Sequence, residues 1–234
     1  MTNLNPNISA REAILGSVRE YLATSAPYDA ARDGMSDQSA ATLKAGVGQP
    51  NGDESTSLVN IFKRNLEAVG GHCVVVKTEA EIIQAVNQII SDLQKTPLCP
   101  RRIALSDSPA VERLFKEQHI DVDEITVNPG KAEIFGYDVG VSATQYAIAD
   151  TGTLVLESNA EKHRMVSLVP PVHIAIVRAD QICLTIAEAL ATVNRGSDLS
   201  PTITMITGPS RTADIELTLT IGVHGPQELY VIVI

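Results

Sequence analysis

A chain of 234 residues, 44% apolar and 20% charged, has the composition of a soluble globular protein and length for one substantial domain or two small ones. Its net charge of −10, with no basic stripe, and its 3% aromatic content without tryptophan argue against a nucleic-acid partner. No apolar run approaches the roughly 20 residues of a membrane helix, and the first residues lack a basic-then-apolar leader, so no membrane span and a cytoplasmic location are expected.

Ser9-Ala10-Arg11-Glu12 is a capping-box pattern, and Ile14, Leu15, Val18, Tyr21 and Leu22 follow it at helical spacing. An amphipathic helix is therefore expected within residues 1–24. Residues 25–56 are rich in Ala, Gly, Ser, Asp, Pro and Gln without a sustained period, which reads as a linker or loosely ordered arm. From residue 57 to 234 strands and helices alternate. Leu58, Ile61, Phe62, Leu66 and Val69 mark a helix that stops at Gly70-Gly71. A strand at 73–76, a helix at 79–93 and a strand at 102–105 follow. Ser108-Pro109 then opens a helix running to about residue 118, with Ser108 as cap.

A short strand is expected at 123–127, a short helix at 139–148, and a buried strand at 153–156 after the Thr151-Gly152 turn. Beyond these come a strand at 172–177, a helix at 182–193, a strand at 203–207 and a last strand at 228–234. Residues 215–221 alternate like a strand, although Ser210 and Asp214 resemble a helix start. Interleaved strands and helices predict an open, mainly parallel α/β sheet covered on both faces.

Two turns attract chemistry. Asp150-Thr151-Gly152-Thr153 offers backbone N–H groups and hydroxyls for an anion or carbonyl, with Asp150 as base; the plainer alternative is an Asx-type turn. Gly208-Pro209-Ser210-Arg211-Thr212 offers close backbone approach at Gly208, hydroxyls at Ser210 and Thr212, and the Arg211 fork. Arg211 is also the one Lys or Arg after Arg195, so it needs either an acidic ligand or an internal partner such as Asp214 or Glu216. The polar stretch from Glu157 to Arg164 leaves the strand at 153–156 at its carboxyl end, the ligand edge of a parallel sheet. It contributes Arg164 as an anion contact and Glu157 as a candidate acid. His173 reads as a satisfied buried histidine, and His224, between turn residues, is a third catalytic candidate beside Asp150 and Glu157. Cys73, Cys99 and Cys183 are isolated thiols with no metal-ligand spacing, so no metal or cluster is expected on this chain.

Asp150-Thr151-Gly152-Thr153, Pro170-Pro171-Val172-His173, the string from Gly208 to Glu216 and Gly222-Val223-His224-Gly225-Pro226 resemble, in this order, the lactate-utilisation protein C family built on the LUD domain. The likeness spans residues 57–234. It implies a fold similar to the NagB/RpiA/CoA-transferase-like group and a bacterial role in oxidising L-lactate to pyruvate. It also implies two partner proteins from lactate utilisation, at least one bearing iron–sulfur clusters. The resemblance assigns no role residue by residue. Beside a non-redox subunit binding a small carboxylate or phosphorylated ligand stand two alternatives. One is a stand-alone enzyme of the CoA-transferase, sugar-phosphate isomerase or folate cyclo-ligase kind; the other is a scaffold docking a partner through its first helix.

Overall fold

The computed structural model describes residues 52–116, 118–160, 164–193, 200–212, 220–221 and 225–234, together with Gly16 and Arg19, both helical and exposed. By contact the chain divides into two units, Met1–Ala45 and Gly46–Ile234, and the fold below is that of the second. The expected amphipathic helix, apart from Gly16 and Arg19, and most of the expected arm lie outside the described residues.

The first helix, α1 (Gly52–Ala68), starts inside the stretch expected to be a linker. Val59, Phe62 and Leu66, three and four residues apart, form its buried stripe. It ends in a Schellman motif: Gly70 takes φ +89°, Gly70 N donates to Glu67 O and Gly71 N to Leu66 O, each at 3.0 Å. Then follow β1 (His72–Val75), α2 (Glu79–Leu93), β2 (Arg102–Leu105), α3 (Pro109–Phe115), β3 (Glu124–Val127) and β4 (Val139–Ala143). After these come β5 (Tyr146–Ile148), β6 (Thr153–Glu157), β7 (Val172–Val177), β8 (Ile182–Cys183) and α4 (Ile186–Val193). The chain closes with β9 (Ile203–Ile206), β10 (Arg211–Thr212), β11 (Thr220–Ile221) and β12 (Glu228–Val233).

Six strands form one parallel sheet in the order β1-β12-β7-β4-β2-β3. Helices α2 and α3 cover one face, packing Ile82, Val86, Ile90, Val111 and Phe115 against Ile103, Val141, Ile174 and Ile232. The opposite face meets α1 and a second sheet of order β8-β5-β6-β9, in which β6 pairs antiparallel with both neighbours. Phe62 and Leu66 of α1 and Leu154 and Leu156 of β6 share a core there with Ala175, Val177, Val231 and Val233. Ile148, Val155 and Ala189 join the outer face of the second sheet to α4. A mainly parallel α/β sheet with helices on both sides is therefore observed.

Two sequence expectations change. Residues 139–148 are not a helix but β4 and β5, one strand in each sheet, joined at Thr144-Gln145. The expected helix at 182–193 opens instead as β8, and α4 begins only at Ile186. The undecided 215–221 stretch ends as β11, which pairs antiparallel with β10.

Candidate functional site

The amino edge of the parallel sheet gathers the segments carrying the family-like strings. Asn65 Nδ2, on the last turn of α1, donates to Ala149 O (2.8 Å) and Asp150 O (2.9 Å). Asp150 N donates to Leu184 O at 3.0 Å, so that residue's backbone is held at both ends while its side chain is exposed. Gly152 turns at φ +64° directly beneath α1: a Cβ there would stand 2.6 Å from Leu66 Cα and 2.7 Å from Asn65 C. The hydroxyls of Thr151, Thr153 and Thr207 run in a chain, 2.7 Å apart at each step. Thr207 is brought there by β9, whose Ile206 pairs with Leu154 of β6.

One residue further, Gly208 (φ +81°) lies against the other side of the same helix end, where a Cβ would meet Val69 O at 2.8 Å. Arg211 Nη2 donates to that same Val69 O at 2.6 Å. The last turn of α1 contains no basic residue of its own. Arg211 thus supplies from 142 residues away the cation that a helix carboxyl end favours. Ser210 N donates to Pro226 O (2.8 Å) and Gln227 N to Pro171 O (2.6 Å), which ties the arginine loop to the starts of β12 and β7.

The structure therefore brings Thr151, Gly152, Thr153, Gly208 and Arg211 around one helix terminus, with Ser210 on the adjoining loop. Thr212 continues from Arg211 as β10. Arg164 is exposed at the start of the 3-10 turn Arg164–Ser167, and His224 lies outside the described residues. Glu157 does not join them. It ends β6, four residue steps or about 13 Å from Thr153. Its backbone N donates to Gln145 Oε1 (2.7 Å) and its Oε2 accepts from Ser200 Oγ (3.1 Å). The expectation that it leaves a parallel strand fails, because β6 lies in the second sheet.

Sequence reasoning passed over the carboxyl edge between β2 and β4. The connection from β2 runs through α3 on one face of the sheet, and that from β4 through β5 and β6 on the other. In open parallel sheets such a divergence opens a crevice beyond the strand ends. Ser106, Ser108, Ser142 and Thr144 are buried in these strands and the turns that follow them, and His173 is buried near the amino end of β7, level with Gly140. Ser108 is the N-cap residue of α3 with Pro109 after it, as expected, but its side chain makes no capping hydrogen bond. His173 Nε2 lies 2.8 Å from Ser142 Oγ, and burial alone pushes the imidazole down to about 3, so it is neutral at ordinary pH. The signals available in the sequence were the Ser-Asp-Ser turn after a buried strand and the small residues of 140–144.

Elsewhere, a cavity of about 240 Å3 lies among Gln94, Cys99, Arg101, Asp121, Val122 and Asp123 and includes none of the expected site residues. Among the described residues no three of His, Cys, Asp and Glu gather as metal ligands. Cys73 is buried, Cys99 exposed and Cys183 intermediate, and burial raises the Cys73 and Cys183 thiols to about 11. Among the described residues no helix is long and apolar enough to cross a membrane.

The LUD domain model matches residues 59–234. An uncharacterized protein of Neisseria meningitidis serogroup B is 39% identical over 57% of the chain and 54% of its own length. Lactate utilization protein C of Deinococcus radiodurans is 39% identical over 44% of the chain and 49% of its own length. In these two alignments the chain spans about half of its relative. Lactate utilization protein C of a Geobacillus species is 27% identical over 78% of the chain and 80% of its own length. A crystal structure of a DUF162 family protein from Deinococcus radiodurans superposes with a TM-score of 0.54 and 25% identity, covering 76% of this chain and 97% of that one.

Proposed function

The chain belongs to the LUD domain family, and from that premise we propose that it is a non-redox subunit of a lactate-utilisation system, acting in the oxidation of L-lactate to pyruvate. The observation that carries the reading is the alignment with proteins named lactate utilization protein C, which in one case runs over 80% of that protein's length. Oxidising lactate releases two electrons and two protons, and something must accept the electrons. In this reading the acceptors are iron–sulfur clusters on partner proteins from the same system.

The chain's own contribution is a contact for a small carboxylate or phosphorylated ligand at the amino edge. Arg211 is exposed and donates one of its N–H groups to Val69 O. A guanidinium has five, in a fork that fits a carboxylate. Ser210 and the Thr151-Gly152-Thr153 corner flank it with hydroxyls and backbone N–H groups, and Thr212 is the next residue along the chain. Gly208 lets the loop approach, and Arg164 adds a second exposed cation. Among the described candidates Asp150 is the nearer base, while Glu157 at the far end of β6 is too distant to act on the same ligand.

Gene deletion with plasmid complementation, read as growth on L-lactate as sole carbon source, tests this. Loss of growth on deletion and rescue by the wild-type chain are expected. Arg211→Ala rescues poorly. Arg211→Lys keeps a cation at the end of α1 and folds, yet without the fork it also rescues poorly. A deletion strain that grows like its parent contradicts the lactate reading; full rescue by Arg211→Ala removes the arginine from it.

A further inference from the structure

The face of the parallel sheet that looks toward α1 changes character across its width. On β12 and β7 it carries Leu229, Val231, Val233, Ala175 and Val177. On β4 and β2 the same alternation presents Gly140, Ser142 and Thr144 beside Ala104 and Ser106, with His173 of β7 in register with Gly140. Leu105 pairs with Val141, so Ser106 falls beside Ser142 one step on, and Ser106 N continues the ladder to Val141 O at 2.9 Å. Small side chains and hydroxyls thus run up one side of β4 to its carboxyl end.

Ser106, Ser142, Thr144 and His173 are each no more than 2% exposed. Ser142 and His173 satisfy one another through Nε2. Thr144 Oγ1 and His173 Nδ1 have no hydrogen-bond partner. Two orphaned polar atoms in one seam are unusual, because a buried hydroxyl or imidazole nitrogen normally finds a partner. Valine would fill the shape of Thr144 without the desolvation cost. The Thr144 end of the seam also lies where the connections from β2 and β4 leave on opposite faces, the place where open parallel sheets hold ligands.

We infer that this seam is a ligand site, distinct from the arginine loop at the other edge. At the carboxyl end of β4 it takes the uncharged, hydroxyl- or carbonyl-bearing end of a small organic molecule, with Thr144 Oγ1 as the hydrogen-bond partner. His173, level with Gly140, lies four residue steps or about 13 Å further down the strands. The class follows from the lining. Among the described residues no Lys, Arg, Asp or Glu is buried, so nothing in the seam offsets a net charge taken out of water. The Thr144 hydroxyl can donate or accept, which suits an alcohol or a carbonyl. A charged end of the same molecule stays outside the seam. Small 2-hydroxy and 2-oxo acids belong to this class, but the inference stands on the orphaned Thr144 hydroxyl at the carboxyl edge and not on the lactate reading.

The purified full chain is tested with L-lactate, pyruvate and the uncharged lactamide, with acetate as the control lacking a hydroxyl or keto group. At least one of the three raises the melting temperature and moves the Thr144 amide signal in a 15N NMR spectrum; acetate does neither. Thr144→Val melts higher than wild type without ligand and binds at least tenfold more weakly, while Thr144→Ser keeps both the hydroxyl and binding. A wild-type chain that none of the probes shifts overturns the inference. So does a Thr144→Val chain that binds like wild type, or one that melts lower, since the hydroxyl is then structural. Because these readouts use the isolated chain, their failure leaves the growth result of the deletion strain standing.

Discussion

Gly152 and Gly136 meet their neighbours in different ways, and the difference predicts how each tolerates a methyl group. At Gly152 the added Cβ runs into the backbone of α1 at Asn65 and Leu66, on a residue already at φ +64°. Neither the left-handed conformation nor a helix backbone yields cheaply. Gly152→Ala should cost about 2–4 kcal/mol, seen as a lower urea midpoint with an unchanged m-value. At Gly136 the Cβ meets chiefly Arg102 Nη1, the far end of a flexible side chain. Gly136→Ala should stay within about 1 kcal/mol of wild type. Equal midpoints for the two variants would mean that the corner does not rest on α1. The Thr-Gly turn itself is legible in the sequence, but the reason for its glycine is not, since Asn65 reaches Asp150 across 85 residues. His173 is similar: its burial can be read from the apolar run that follows it, whereas its orphaned Nδ1 cannot.

Among the elements, β3 is an edge strand, and its attachment depends on one carboxylate. Glu124 accepts hydrogen bonds from Arg102 Nε of β2, from Thr126 Oγ1 and from Tyr137 OH, each at 2.8 Å. Arg102 also donates to Gly136 O at 2.9 Å and lies 4.5 Å from the Tyr137 ring centroid. The Arg102 hydrogen bond, helped by those of Thr126 and Tyr137, lowers Glu124 from 4.5 to about 2. A carboxylate whose folded value is depressed stabilises fully above its unfolded value, and that contribution drains away as pH falls from 4.5 toward 2. Glu124→Gln should therefore melt below wild type at pH 7, with the two curves converging toward pH 2; parallel curves would show that the cluster does not hold the edge. Elements with a clear period or punctuation, such as α2 and the stop of α1 at Gly70-Gly71, are legible in advance. β4 was misread because it is buried on both faces in the middle of the sheet, so no alternation marks it. β8 was misread because a two-residue strand has no period at all.

For the whole molecule, the alternation of strands and helices sufficed to predict a mainly parallel sheet. It could not reveal that β6 had left that sheet for a second one, because an apolar strand core looks alike in either. This decides how the candidate residues are distributed. The two glycine-bearing turns meet around the end of α1, with Gly152, Gly208 and Arg211, while Glu157, expected at the ligand edge of a parallel sheet, sits at the opposite end of β6. The hydroxyl-lined seam between β2 and β4 then holds the carboxyl edge itself. Membership of a lactate-oxidising assembly concerns the whole protein and is tested most directly by depletion. An affinity-tagged copy is expressed in lactate-grown cells in place of the native chain, and the extract is passed over the matching resin. Reduction of an artificial electron acceptor by L-lactate should disappear from the flow-through and be recovered on the resin together with iron. If the tagged chain is retained while that activity stays wholly in the flow-through, the chain is not part of the lactate-oxidising machinery.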